Sequence, residues 1–171
     1  SENNTDTETY LLKVYPLGAL EFKYPFFRGR NNKSEVLIPV AQVVYSTDTS
    51  PHKRSNDEDS STTEFDSTTL FKLRKIPGID RQENGLRLNA GLQYFYEYKN
   101  NYKYNVNLGQ VYRNKNSEDF LPSSGLNGYE SDILLSGNLS FRKSLEIASK
   151  HVYSKNFTLK RSNTSLELTK P

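Results

Sequence analysis

The chain predicts an all-β protein of roughly seven or eight antiparallel strands with one long structured loop, read as the wall of a transmembrane β-barrel, with a soluble antiparallel sandwich as the alternative. Three observations carry that expectation. Stretches of about ten residues alternate apolar and polar side chains, the length and period of a strand that crosses a bilayer. The 12 Tyr and 9 Phe supply interfacial aromatics, and Tyr94, Tyr96 and Tyr98 cluster at one end of their stretch. Only 34% of the 171 residues are hydrophobic and Cys, Met and Trp are absent. That is lean for a water-soluble core, but enough for a barrel whose interior is polar.

Ser1 to Thr9 is polar and expected to fray. Leu20, Phe22, Tyr24 and Phe26 share one face of a strand, with Glu21 and Lys23 on the other and Pro25 near its end or at a bulge. Arg28 to Glu35 reads as a turn or short loop, and Val36 to Tyr45 as a strand apolar on both faces except at Gln42, so periodicity does not assign its sides. From Leu86 to Tyr98 the alternation is clean. Leu86, Leu88, Ala90, Leu92, Tyr94, Tyr96 and Tyr98 fall on one face and Arg87, Asn89, Gly91, Gln93 and Glu97 on the other. A turn at Lys99–Asn101 leads into a return strand with Tyr102, Tyr104, Val106 and Leu108 opposite Lys103, Asn105, Asn107 and Gly109, a hairpin with its tyrosines at the turn. Asn114 to Glu130, with Pro122, Gly125 and Gly128, is a loop at the opposite end. Ile133 to Phe141 and Leu145 to Tyr153 pair across a tight turn, Phe157 to Lys160 begins another strand and Leu166 to Leu168 the last.

Composition narrows the function. Lys+Arg 23 against Asp+Glu 20 is too balanced for a nucleic-acid footprint. No run of 18 apolar residues supplies a transmembrane helix. Nucleophile-elbow, P-loop and H-E-x-x-H motifs are missing, so no catalytic residue and no cofactor is assigned. His52 and His151 stand far apart without a second ligand at metal spacing, and Asp57, Glu58 and Asp59 lack the glycine of a calcium loop, so no metal is expected. The chain starts without a signal peptide, and is read as a mature protein or an internal piece of one.

Residues 46–85 form the long loop within a single barrel domain spanning 1–171. It begins acidic and rich in Ser and Thr, then carries an apolar island, Phe65, Leu70, Phe71, Leu73 and Ile76, ringed by charges of alternating sign. Such an island cannot face water over a long loop, and is expected to fold over or into the barrel mouth.

The order Glu64-Phe65-Asp66, Leu70-Phe71, Arg74, Gly78, Asp80-Arg81, Glu83, Gly85, Arg87, Asn89, Gly91 resembles the signature of the LptD family of LPS-assembly proteins, also known as organic solvent tolerance proteins. Shorter matches flank it in family order: Glu21-Phe22-Lys23-Tyr24-Pro25, Pro39-Val40-Ala41-Gln42, Gly109-Gln110-Val111-Tyr112-Arg113, Ser124-Gly125-Leu126 and Ser131-Asp132. The pattern departs at Asn56 to Ser60, at Thr69 and at Lys75-Ile76. The resemblance implies a very large outer-membrane barrel that passes lipopolysaccharide to the outer leaflet, of which this chain is an antiparallel transmembrane β-barrel segment, with the lipoprotein LptE inside it and a periplasmic Lpt bridge delivering through a domain outside this chain. It implies that the polar face lines the lumen, where Arg87, Asn89, Gln93, Asn105 and Asn107 offer hydrogen bonds to lipopolysaccharide or LptE. The alternation from Leu86 to Leu108 makes Asn89→Arg and Asn107→Arg both expected to be tolerated. The alternatives are a small self-contained outer-membrane barrel, pore or adhesin, since eight strands can close, and an outer-membrane enzyme.

Overall fold

In the computed structural model the described residues are 16–47, 65, 70–72, 84–99, 101–117, 120, 122–142 and 144–169. They form one antiparallel sheet of eight strands: β1 (Leu17–Lys23), β2 (Phe26–Arg30), β3 (Lys33–Ser46), β4 (Gly85–Tyr98), β5 (Tyr102–Arg113), β6 (Ile133–Phe141), β7 (Leu145–Tyr153) and β8 (Leu159–Leu168). From β3 onward each strand pairs with the next, while β1 and β2 both lie along β3. β1–β2 and β8 are the two edges of the sheet among the described residues, so these eight strands form an open wall and do not close on themselves as the small-barrel alternative requires.

β1 and β2 are one strand interrupted by proline. Lys23 pairs with Val40 and Phe26 with Leu37, so the register continues unchanged across Tyr24-Pro25 and no bulge is inserted. Pro39 accepts a 3.4 Å hydrogen bond from the Tyr24 N–H but has no N–H to return, which is why the ladder lapses at that point. The segment Arg28 to Glu35, expected to be a turn or loop, is instead mostly strand. Its turn shrinks to Asn31-Asn32, with φ of 47° and 63°. Asn tolerates this left-handed region, and two such residues in succession make the turn whose twist suits a hairpin. Of Phe157 to Lys160 and Leu166 to Leu168, read as two strand starts, Leu159, Lys160 and Leu166 to Leu168 belong to the single β8, while Phe157, at φ 58°, lies in the turn before it. Between them Arg161 to Ser165 has no apolar residue to signal a period, and pairing with β7 holds the segment extended.

Strand alternation gives the sheet two unlike faces. On the open face Leu20, Phe22, Val43, Leu88, Leu92, Val106, Leu108, Leu139 and Leu166 are all substantially exposed. A contiguous apolar surface of this extent belongs against hydrocarbon. At the tight-turn end of that face, Tyr96 stacks on Tyr104 at 4.8 Å and Tyr102 lies 4.7 Å from Phe141. Tyr45, Tyr112 and Tyr153 sit toward the other end. From Tyr102 to Tyr112 along β5, a rise of about 3.3 Å per residue and a tilt of about 40° give a band of about 25 Å, the height expected of a barrel's lipid-facing belt.

The other face is covered at one end. Register puts Val40, Gln42, Val44 and Ser46 of β3 there, which settles the strand whose sides the sequence left open. They share the face with Arg87, Asn89 and Gln93 of β4 and with Asn105, Asn107 and Val111 of β5.

Two faces of opposite character predict opposite tolerance. In the intact protein, Leu92→Arg and Val106→Arg are expected to destabilise by about 2–4 kcal/mol, while Asn107→Arg, on the other face of the same hairpin, is expected to be accepted. Heat-modified gel mobility of the three variants in outer membranes reads this out; equal damage at position 107 would mean the faces are assigned wrongly.

Candidate functional site

A hydrophobic cluster sits on the covered face, at the end away from the tight turns. Val111, Leu134 and Val152 come from β5, β6 and β7; Phe120 and Leu126 come from the β5–β6 connection; Phe65 and Leu70 come from the long β3–β4 connection, with Phe71 packed beside them. Phe65, Leu70, Val111, Leu126 and Leu134 are 1% exposed or less. Each buried side chain of this size stabilises by about 1.5–3 kcal/mol relative to exposure. The cluster ties the two long connections to the wall and to each other.

Glycine makes the fit possible. Gly91 and Gly109 are direct partners across β4 and β5, and they leave a bare patch of backbone on the covered face. A Cβ at Gly91 would stand 2.8 Å from Phe71 Cζ and 2.9 Å from the Leu108 carbonyl oxygen, and a Cβ at Gly109 would overlap the Leu70 side chain outright. Leu70 and Phe71 are therefore seated in a socket that any larger residue at those two positions would fill.

Polar groups of the wall hold the loop backbone. Asn89 donates to the Gln42 side-chain oxygen at 2.6 Å, and Gln42 Nε2 donates to the Phe71 carbonyl at 3.1 Å and to Glu21 at 3.0 Å. Arg87 Nη2 donates to the Lys72 carbonyl at 3.3 Å, and Arg161 Nη2 to the Phe65 carbonyl at 3.3 Å. Phe65 N–H donates in turn to the Ser124 carbonyl at 3.2 Å, joining the two connections. Asn89 is wholly buried and Gln42 only 3% exposed. Desolvated amides of this kind must be paired, which fixes the loop's register on the wall.

The β5–β6 connection is braced likewise. A short 3-10 turn at Pro122–Ser124 passes into Gly125, at φ 81°. Asp132 N–H donates to the Gly125 carbonyl at 2.8 Å, and Leu126 N–H to Ser124 Oγ at 3.1 Å. Ser131 Oγ accepts from Val111 N–H at 2.9 Å. Lys160 of β8 forms an ion pair with the largely buried Asp132 at 2.9 Å.

The short motifs scattered through the sequence thus meet at one place. Gln42 and Glu21, Gly109 and Val111, Ser124-Gly125-Leu126 and Ser131-Asp132 all contact or flank the seated loop. Of the loop residues singled out from sequence, Phe65, Leu70 and Phe71 are in the cluster, while Glu64, Asp66, Arg74, Gly78, Asp80, Arg81 and Glu83 lie outside the described residues, as do His52, Asp57, Glu58 and Asp59. The five polar wall residues divide. Arg87 and Asn89 are buried beneath the loop, so position 89 is closed to the larger side chain expected of it, whereas Gln93, Asn105 and Asn107 are part-exposed beyond the loop's edge. Gln42 and Ser131 stood in the short motif matches without an assigned role, and Phe120 was not distinguished by sequence reasoning. Among the described residues no group of three His, Cys, Asp or Glu could hold a metal ion.

Two outcomes follow from the socket and the amide pair. Gly109→Ala is expected to unseat Leu70, at a cost of about 1–3 kcal/mol, and to expose the 65–72 segment to protease while the wall stays folded. Adding Leu70→Ala should restore protection in part, so the double variant falls short of the sum of its parts. Gln42→Leu strands both the Asn89 amide and the Phe71 carbonyl, an expected loss of about 1–3 kcal/mol for each buried group left unpaired. Proteolysis and thermal melting of the full-length protein check both; an unchanged cleavage pattern in Gly109→Ala would remove the socket.

No curated protein matches the chain. The family model described as LPS transport system D matches residues 1–171. With the open apolar face, the covered polar face and the motif residues gathered on one loop site, that match over the whole length places the chain in the LptD family, whose members serve lipopolysaccharide transport and assembly in the outer membrane.

Proposed function

We propose that this chain forms part of the wall of a barrel translocon, with residues 46–85 as a signature loop that closes its mouth on the side of the long connections. The carrying observation is the pairing of an apolar open face with a polar face that, among the described residues, two connections cover at one end. The open face meets the membrane and the covered face lines a lumen through which the sugars of lipopolysaccharide pass. The short turns that follow β2, β4 and β6 lie at one end, and the long connections at the other. Barrels of the outer membrane turn tightly on the periplasmic side and carry long loops outside, which puts the seated loop at the outer mouth.

In this reading no bond is made or broken. Acyl chains leave through a lateral opening in the wall while the glycan travels along the lumen. Gln93, Asn105 and Asn107, exposed beyond the loop, offer hydrogen bonds to sugar or to the lipoprotein LptE, while Arg87 and Asn89 act indirectly by holding the loop. Delivery comes from the periplasmic Lpt bridge.

Deleting residues 61–79 in the full-length protein is the test. The expected result is a folded barrel at normal abundance that admits vancomycin or retains less LptE on co-purification. Wild-type vancomycin resistance together with wild-type LptE recovery would show the loop to be dispensable, since a mere surface connection tolerates changes of length.

A further inference from the structure

Among the described residues the covered face is not filled below the seated loop. A hollow of about 290 Å³ opens directly beneath Leu70 and Phe71, floored by Gln93, Asn105 and Asn107 and bounded by Phe95. A second, of about 240 Å³, shares Phe95 and Asn105 and extends to Ser34 and Glu97. A third, of about 470 Å³, shares Ser34 and Glu97 and ends at Asn32 and Lys99 beside the tight turns. The three form one groove along β4, from the tight-turn rim to the loop, and Phe95 stands where the upper two join.

Phe95 breaks the strand's alternation. Its neighbours on the same face of β4 are Gln93 and Glu97, and its partner on β5 is Asn105, yet it is a large aromatic residue left 39% exposed. An aromatic ring with Val36 on its β3 side and the amides of Gln93, Asn105 and Asn107 along β4 and β5 suits one kind of ligand well. A pyranose presents a face of C–H groups that packs on the electron-rich ring and a rim of hydroxyls that both donate and accept, which is what Asn and Gln side chains offer. An acyl chain would leave the amides of Gln93, Asn105 and Asn107 unsatisfied. A phosphate would seek unpaired cations; Lys33 and Lys99 line only the third hollow beside the tight turns, Lys103 in the middle one is paired with Glu97 at 3.2 Å, and the upper hollow is lined by no cation among the described residues. The upper hollow lies near the lower end of the roughly 300–1,000 Å³ usual for small-molecule pockets.

We propose that Phe95, with Gln93, Asn105 and Asn107, forms a saccharide subsite that stacks a sugar ring of the transported glycolipid immediately beneath the seated loop. This rests on the lumen reading given above. The aromatic ring supplies a stacking station and the amides orient the sugar's hydroxyls, so the subsite recognises glycan rather than lipid.

The test is photo-crosslinking in cells with the full-length protein, a benzophenone amino acid replacing Phe95 or, as a reporter on the same face but outside the groove, Asn163 of β8. The expected result is a glycolipid adduct at position 95 that weakens by roughly fivefold in cells whose glycan is truncated close to the lipid. With the crosslinker at Asn105, Phe95→Ala is expected to reduce the adduct by about two- to tenfold and Phe95→Tyr to preserve it. An adduct at 95 indifferent to glycan length would mean that lipid occupies the groove and would overturn the proposal. An adduct at 163 with none at 95 would overturn the subsite and leave the lumen reading standing. Absence at both positions, with normal barrel abundance, would overturn both.

Discussion

The arrangement depends on the close approach of Leu70 and Phe71 to the bare backbone of Gly91 and Gly109. Those glycines face each other across two strands, so their missing side chains combine into one depression instead of two. A leucine and a phenylalanine from a distant connection fill it, and the neighbouring Gln42–Asn89 amide pair then reaches the Phe71 carbonyl. Shape comes first in this sequence of causes. If the side chains could not descend, the carbonyl would not come within hydrogen-bonding distance, and two buried amides would lie open to water on the wall. Apolar seating and polar registration thus depend on each other, which is how a mainly polar wall carries a local hydrophobic core.

The strands themselves do not depend on that core. Their hydrogen bonds run from neighbour to neighbour, and their outer side chains answer to the membrane rather than to the loop. Burying Phe65 and Leu70 contributes roughly 3–6 kcal/mol, while fixing each residue's backbone costs about 1–2 kcal/mol. That contribution anchors a few residues and not a long segment, so the joint between the two connections, Phe65 to Ser124, and the Arg161 and Arg87 contacts to loop carbonyls belong to the same anchor.

How much of this the sequence disclosed follows from which signals are local. The β4–β5 hairpin was legible because alternation and the tyrosine cluster are written in consecutive residues, and β6 and β7 were legible for the same reason. β8 was not legible as one strand, because Arg161 to Ser165 is polar on both faces and is held by its ladder to β7. The Arg28 to Glu35 segment misled because Asn-rich stretches usually mark loops, whereas here two asparagines supply a tight hairpin turn and their neighbours pair. At the site, apolar Phe65, Leu70 and Phe71 stood out within an acidic segment. Their socket did not, since a glycine that makes room for a residue far away in sequence looks the same as one that merely bends a strand. The burial of Arg87 and Asn89 was hidden likewise: alternation assigns a side chain to a face, and only the path of a loop decides whether that face is covered.

That distinction separates two uses of one polar face. Near the long connections its side chains are consumed by the protein itself, with Gln42, Asn89 and Arg87 each donating to a wall residue or to loop backbone. Toward the tight turns the same strands present Gln93, Asn105 and Asn107 at an unfilled groove. A single alternating strand therefore carries a structural half and an available half, and the boundary between them is the glycine pair, because it sets how far down the wall the loop can sit. Moving that boundary by one residue pair along β4 and β5, from Gly91 and Gly109 to Gln93 and Asn107, would place side chains under Leu70 in one direction and cover the groove in the other. The position of two hydrogen atoms in place of two side chains thus divides the wall between holding its own loop and presenting an open polar groove.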